Sequence, residues 1–229
     1  MLSALAETGA VPVPGVLLAE PGLLVIEFVG NDGQKSGGGE ADLADLIADL
    51  HAADTGTDAF GYAFDTRIGG LIQVNTPEPT WPRFYARHRL LDMGRRADAR
   101  GALPAGTLDR LGSLAAGIDE VLTGSATRPS LVHGDLWAGN VLWNRGTPAA
   151  LIDPAIYHAD PEVELAFIDL MGGMGRSFWD RYQQRRPIAP GLWDRRRLVY
   201  QIYPLLVHAV LFGSGYGRSV SGLLDQIGR

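Results

Sequence analysis

Apolar positions along the chain fall into two patterns, one repeating every three to four residues and one of short uninterrupted runs. Leu2, Leu5 and Ala6 share a helical face, and Gly9 stands where a left-handed C-cap is expected. Pro12 and Pro14 break that helix. Residues 15–19 and 23–29 then read as two strands around the turn Glu20-Pro21-Gly22, an antiparallel hairpin, followed by a linker over residues 30–39. Leu43, Leu46, Ile47 and Leu50 recur at the spacing of an amphipathic helix. A second stripe runs through Leu108, Leu111, Leu114, Ala115, Ile118 and Leu122, with Thr107 as its expected N-cap. Between the two stripes, residues 60–81 are rich in Gly, Pro, Asp and Asn. They predict a loop, long enough for a binding role to be suspected. Asp160-Pro161 reads as an N-cap followed by proline at the first helical position, opening a helix through Leu170. Arg195, Arg196 and Arg197 read as a solvated helix face, and His208 as a core histidine within an apolar helix. The outline is a strand pair, a linker, and a mainly helical body with one embedded hairpin.

Composition narrows the setting. With 229 residues, 46% hydrophobic and 20% charged, the chain is long enough for one large domain or one plus part of another. The longest apolar run, residues 202–212, is interrupted by Pro204 and His208 and is shorter than the ~20 residues a membrane span needs. No membrane partner is expected. No basic residue precedes an apolar stretch at the N-terminus, so a secretory signal is not predicted. The absence of cysteine excludes disulfides and thiolate metal sites and makes a cytoplasmic location the expectation. A net charge of −6 argues against nucleic acid as a partner and leaves small molecules. Among 20 basic residues Lys35 is the single lysine.

Chemistry concentrates in the segment His133-Gly134-Asp135-Leu136-Trp137-Ala138-Gly139-Asn140 and the apolar runs after it. Runs at 141–143 and 149–152 around an Asn-Arg-Gly-Thr-Pro turn predict a hairpin, which folds Asn140 and Asp153 back to the same end. Together they offer the oxygen donors a hard cation such as Mg²⁺ wants beside nucleotide phosphates. Asp135 precedes Asn140 by five residues, the spacing of the protein-kinase catalytic loop, with Gly134 where that loop has arginine. Phosphoryl transfer needs positioning and charge neutralisation more than covalent help. Asp135 is the candidate base, Asn140 and Asp153 the candidate metal ligands, and His133 a structural residue orienting the loop.

That segment, with Ile152-Asp153-Pro154-Ala155 and Glu162-Val163-Glu164-Leu165-Ala166, resembles the fructosamine (ketosamine) kinases. Trp137 after the Asp-Leu pair resembles them too, as do Tyr203-Pro204-Leu205-Leu206-Val207-His208 and the order of Phe60-Gly61-Tyr62, Asp65, Ile68-Gly69, Gln73, Asn75 and Trp81. The resemblance implies a protein-kinase-like α+β fold of the aminoglycoside-phosphotransferase type. It implies ATP and Mg²⁺, and phosphorylation of a sugar hydroxyl on ketosamine adducts of small molecules or glycated proteins. Residues 23–29 resemble the strand entering a kinase hinge, where the backbone of Glu27 and Val29 would bind adenine. Trp137 offers a flat apolar face to the acceptor, and Glu164 stands where the family more often has Asp, a change expected to touch helix support.

Three parts of a complete kinase are not identifiable: a glycine-rich phosphate loop, a strand lysine and its helix glutamate. Gly37-Gly38-Gly39 follows the hinge and reads as flexible linker. Residues 1–31 are therefore expected to be the remainder of a truncated N-terminal lobe and residues 32–229 the helical C-terminal lobe. The chain as written is expected to turn over little. Alternative readings are a catalytically silent, pseudokinase-like binding module and a small-molecule kinase for amino-sugars or amino-alcohols.

Overall fold

A computed structural model describes residues 1–54 and 56–228. Helix α1 (Leu2–Thr8) ends at Gly9, whose φ of 64° is the left-handed conformation a residue without Cβ adopts freely. Strands β1 (Val16–Glu20) and β2 (Leu23–Ile26) pair antiparallel, Glu20 opposite Leu23, and leave Leu17, Leu23 and Leu24 in solvent. Helix α2 (Gly37–Ala52) starts earlier than the apolar stripe predicts. Ser36 caps it, its hydroxyl accepting from the Gly39 N–H at 3.0 Å. Gly37-Gly38-Gly39 is thus the first helical turn and not a flexible linker. The reason is tertiary: a Cβ on Gly39 would lie 1.8 Å from the Gly146 carbonyl oxygen, so only glycine lets the helix approach that turn.

Residues 60–81 are more ordered than their composition predicts. They hold the antiparallel pair β3 (Thr66–Ile68) and β4 (Leu71–Gln73), and Phe60 and Gly61 bridge to Glu78 and His158. A helical run follows through α3 (Trp81–Phe84), a π-helical stretch at Tyr85–Leu91, and α4 (Asp92–Ala99). Helix α5 (Thr107–Ala116) leads into the single turn α6 (Ile118–Val121). Gly106, not Thr107, stands at the N-cap of α5, and Thr107 is buried in its first turn with no capping bond from its side chain.

Two further strand pairs frame the centre of the chain. Strand β5 (Ser130–Val132) pairs with the later β8 (Tyr157–Ala159), enclosing the hairpin of β6 (Val141–Asn144) and β7 (Thr147–Leu151). The two-residue turn of that hairpin has Arg145 and Gly146 at φ 51° and 83°, the sign that matches the right-handed strand twist. Helices α7 (Glu162–Met171), α8 (Arg176–Arg185), α9 (Arg197–Phe212) and α10 (Ser214–Ile227) complete the body. Helix α8 lies on α2, α7 on α9, and α10 on α9. Leu43, Ile47, Leu50, Val132, Leu136, Ile168 and Leu206 are fully buried between these layers, each worth about 2 kcal/mol of removed apolar surface.

The arginine cluster at 195–197 is not a uniformly solvated face. Arg196 is buried and grips Glu162 with two bonds of 2.6 and 2.7 Å, and its remaining donors go to the carbonyls of Thr123, Ala189 and Pro190. Pro161, not Asp160, stands at the N-cap of α7, and the Asp160 carboxylate one position earlier accepts from Glu162 N–H at 2.9 Å. His208, half-buried, bonds the Pro204 carbonyl at 2.7 Å within α9. No helix among the described residues is long and apolar enough to cross a membrane.

Candidate active site

The β5–β8 pair and the β6–β7 hairpin bring His133, Asp135, Asn140 and Asp153 to one end of the body. His133 N–H and Gly134 N–H follow directly on β5, and a 3₁₀ turn at Ala138–Asn140 leads into β6. Asn140 accepts from Ile152 N–H at 3.0 Å and His133 accepts from Ala155 N–H at 2.8 Å, so the loop is pinned across to the segment carrying Asp153. Gly134 makes this possible. At φ 84° it is left-handed, and a Cβ there would meet the Ala155 carbonyl at 2.1 Å.

Asn140 aims its amide nitrogen at Asp135, donating to the backbone carbonyl at 2.8 Å and to the carboxylate at 3.2 Å. Burial pushes the Asp135 carboxyl up to about 7; the Asn140 bond opposes this, while the charges of Asp153 and Glu164 add to it. Asp153 is exposed, at φ 51°, a left-handed conformation rare outside glycine and costing roughly 1 kcal/mol or more. With its nitrogen committed to Asp135, Asn140 keeps its amide oxygen for another partner, and no donor among the described residues bonds the Asp153 carboxylate. Two uncommitted oxygens on adjoining segments form an oxygen-only donor set, the type Mg²⁺ takes alongside phosphates and water.

The loop's support lies in residues that sequence reasoning undervalued. Glu164, fully buried on α7, accepts from Gly134 N–H at 2.8 Å, His133 N–H at 3.3 Å and the His51 ring at 2.9 Å. Burial pushes its carboxyl up, but the bonds from His51 and Gly134 outweigh that and hold it below the ordinary carboxylate value. The other ring nitrogen of His51 meets the Tyr182 hydroxyl at 2.8 Å. Glu164 thus holds the successive backbone N–H groups of His133 and Gly134 and does more than support its helix. The signal was a carboxylate inside an otherwise apolar helical face, Val163 to Ile168. The His133 ring is buried and held below its ordinary pKa by desolvation, hence neutral. Its Nε2 meets the Ile152 carbonyl at 3.0 Å and therefore carries the proton, and its Nδ1 accepts from Asp135 N–H at 3.3 Å.

Residues 60–75 brace the far side. Gln73 donates to the Ala155 carbonyl at 2.9 Å, Thr66 to the Ile156 carbonyl at 3.2 Å, and Gly61 N–H to the His158 carbonyl at 2.9 Å. Tyr203 donates to Gln73 at 2.7 Å, and buried Arg89 donates to Asn75 at 2.7 Å with its guanidinium 4.1 Å from the Tyr157 ring centroid. These contacts hold residues 155–158.

Trp137 lies beside Asp135 and Asn140 with 38% of its surface exposed, its ring over Gly139, where a Cβ would come within 2.5 Å of it. Glu27 and Val29 stand on a different segment and make no bond to the loop. Glu27 N–H is used by the Gly15 carbonyl at 2.8 Å. Their link to the site runs through Asp32 N–H, which donates to the Trp143 carbonyl at 2.9 Å. Trp143 is three residues along β6 from Asn140, or about 10 Å of strand.

The four short strand pairs, the helical body and the loop held by Glu164 are the protein-kinase-like fold in its aminoglycoside-phosphotransferase form. A crystal structure of macrolide 2'-phosphotransferase from Brachybacterium faecium superposes with TM-score 0.59 over 98% of this chain and 77% of that one, at 16% identity, a likeness of fold alone. The family model "Fructosamine kinase" matches residues 1–229, and this chain belongs to the fructosamine kinase family. The crystal structure of a "putative fructosamine-3-kinase" from Thermobifida fusca is 33% identical, with TM-score 0.89 over 99% of this chain and 77% of that one. The "Probable ketoamine kinase" of Synechocystis sp. is 35% identical over 184 residues, 79% of this chain and 59% of the relative. The chloroplastic protein-ribulosamine 3-kinase of Arabidopsis thaliana is 30% identical over 98% of this chain and 69% of its own length. The chain thus spans about 59–69% of the length of these two curated relatives.

Proposed function

We propose that the chain carries the phosphoryl-transfer centre of an ATP-dependent ketosamine kinase, acting on a sugar hydroxyl of fructosamine-type adducts of small molecules or proteins. The observation that carries this reading is Asp135: a carboxylate raised to about 7, bonded by Asn140 and held on a loop clamped by Glu164. A base whose pKa lies near the working pH combines a useful ionised fraction with proton affinity. Asp135 accepts the acceptor hydroxyl's proton and orients its oxygen toward the γ-phosphorus. Asn140 and Asp153 would hold Mg²⁺, which when bound neutralises charge on the phosphates.

The remaining roles follow from position. Residues 1–31 form the nucleotide-facing part and residues 32–229 the catalytic body. The Glu27 carbonyl and the Val29 N–H supply an acceptor and a donor to adenine. The ~10 Å between Trp143 and Asn140 leaves room for a triphosphate to run along β6. Trp137 stacks on the acceptor. His133 stays neutral and keeps the loop's geometry, taking no part in proton transfer.

Incubation with Mg-ATP and fructosyl-lysine, followed by phosphorus NMR of the product, tests the reading. A new sugar-phosphate signal that requires both Asp135 and the ketosamine supports it. Phosphorylation of free amino-sugars or amino-alcohols in preference to ketosamines would overturn the substrate class. Specific Mg-ATP binding with no transfer, in a version extended to the length of the curated relatives, would overturn catalysis.

A further inference from the structure

Lys35 is the chain's single lysine, and its ammonium is neither free nor on a strand facing phosphates. It pairs with Glu40 at 2.9 Å and donates to the Gly173 carbonyl, with 42% of its side chain exposed against 9% for Glu40. Glu40 sits in the first turn of α2, where a carboxylate is favoured by the helix dipole, and also accepts from Gly175 N–H at 3.1 Å. Two residues therefore hold both ends of the segment Gly173–Gly175 between α7 and α8. The segment needs holding, because Gly172 and Gly173 lie at φ 69° and 94° and glycine pairs lose much conformational freedom on ordering.

What that segment touches gives the latch its meaning. A Cβ on Gly173 would stand 2.7 Å from the Ala138 side chain, so its backbone packs directly against the 3₁₀ turn between Trp137 and Asn140. Lys35 itself lies on the stretch that leaves the hinge and follows the β6–β7 turn, where Gly146 N–H donates to the Gln34 carbonyl at 3.1 Å and the Ser36 hydroxyl donates to the Gly146 carbonyl at 2.8 Å. One side chain thus joins the nucleotide-side strap to the wall beside Trp137.

We propose that Lys35 and Glu40 are positioning residues that latch the Gly172–Gly175 segment against Ala138 and so fix the wall on which Trp137 receives the ketosamine. The inference rests on the acceptor role given to Trp137 above. The latch acts on acceptor binding, because Gly173 abuts the Trp137 side of the turn, while Asn140 is held independently by Asp135 and Ile152.

Hydrogen exchange and binding on the 229-residue chain test this. In Lys35→Met, amides at 137–141 and 172–175 should exchange several-fold faster, with those of α9 unchanged. The dissociation constant for fructosyl-lysine should rise about five- to tenfold, the scale of a small misplacement of a binding wall, while that for Mg-ATP stays within about twofold. Lys35→Arg, which can still pair with Glu40, should restore most of both. Because the chain has one ε-amine, acetylation of the wild type should reproduce the Lys35→Met exchange pattern and leave Lys35→Arg unaffected. Unchanged exchange in Lys35→Met, or equal weakening of ATP and ketosamine, overturns the latch. A wild type that binds no ketosamine overturns the acceptor assignment instead, and the exchange pattern still decides whether the latch exists.

Discussion

Replacing Asp135 by Asn separates catalysis from stability in a single, nearly isosteric change. In the folded protein burial moves this carboxyl from its ordinary 3.8 to about 7. A group whose folded pKa lies above its unfolded value favours folding only while protonated. The stability is present below pH ~4 and is lost as pH rises through about 7. The full shift corresponds to a ceiling of about 4 kcal/mol. Asp135 is partly solvated, which discounts the figure to roughly 1–2 kcal/mol. Asparagine removes the charge and retains an oxygen for the Asn140 amide to bond. Asp135→Asn is therefore expected to melt about 2–5 °C higher than wild type at pH 8. The gap should shrink toward pH 5. In a version extended to the length of the curated relatives, turnover should fall at least about 10²-fold, the scale of a positioned general base, with Mg-ATP affinity little changed. Melting curves of both proteins from pH 5 to 8, with kcat on fructosyl-lysine, check all three. A variant less stable than wild type at pH 8, or equally stabilised at every pH, would refute the raised pKa; retained turnover would remove Asp135 from the base role.

Asp153→Ala should abolish metal-dependent nucleotide binding, since Asn140 alone would remain to meet the cation; calorimetry finding unchanged Mg-ATP affinity would count against the metal assignment. Trp137→Ala should raise the KM for the ketosamine far more than that for ATP if its exposed ring stacks on the acceptor as proposed; equal effects on both would point to packing. Glu164→Ala leaves the N–H groups of His133 and Gly134 and the His51 ring without their acceptor. It should cost about 3 kcal/mol and lower Tm by about 6–10 °C, measured by calorimetry; a loss under 1 kcal/mol would mean that water replaces the carboxylate.

The elements that the sequence foretold well are those whose cause is local. The Gly9 C-cap, the strand pair around Glu20-Pro21-Gly22 and the hairpin between Asn140 and Asp153 each depend on residues within a few positions of one another. So does the spacing of Asp135 and Asn140. Hydrophobic period and turn chemistry are written along the chain, and the motif's spacing carries its own geometry, which is why the convergence of Asp135, Asn140 and Asp153 was legible in the sequence.

Contacts between distant segments settled the rest. Gly37-Gly38-Gly39 is a helical turn because Gly146, more than a hundred positions away, leaves no room for a Cβ at Gly39. Within residues 60–81, Thr66–Ile68 and Leu71–Gln73 pair with each other, and the Thr66 and Gln73 side chains fix that pair by bonding the distant carbonyls of Ile156 and Ala155. Arg196 is buried because Glu162 is there to receive it, and a guanidinium without that partner belongs in water. Glu164 looked like a helix residue until the fold brought His51 and the His133-Gly134 peptide to its carboxylate. Local propensity cannot register such partners, because hydrogen bonds and desolvation depend on distance in space and the sequence records only distance along the chain.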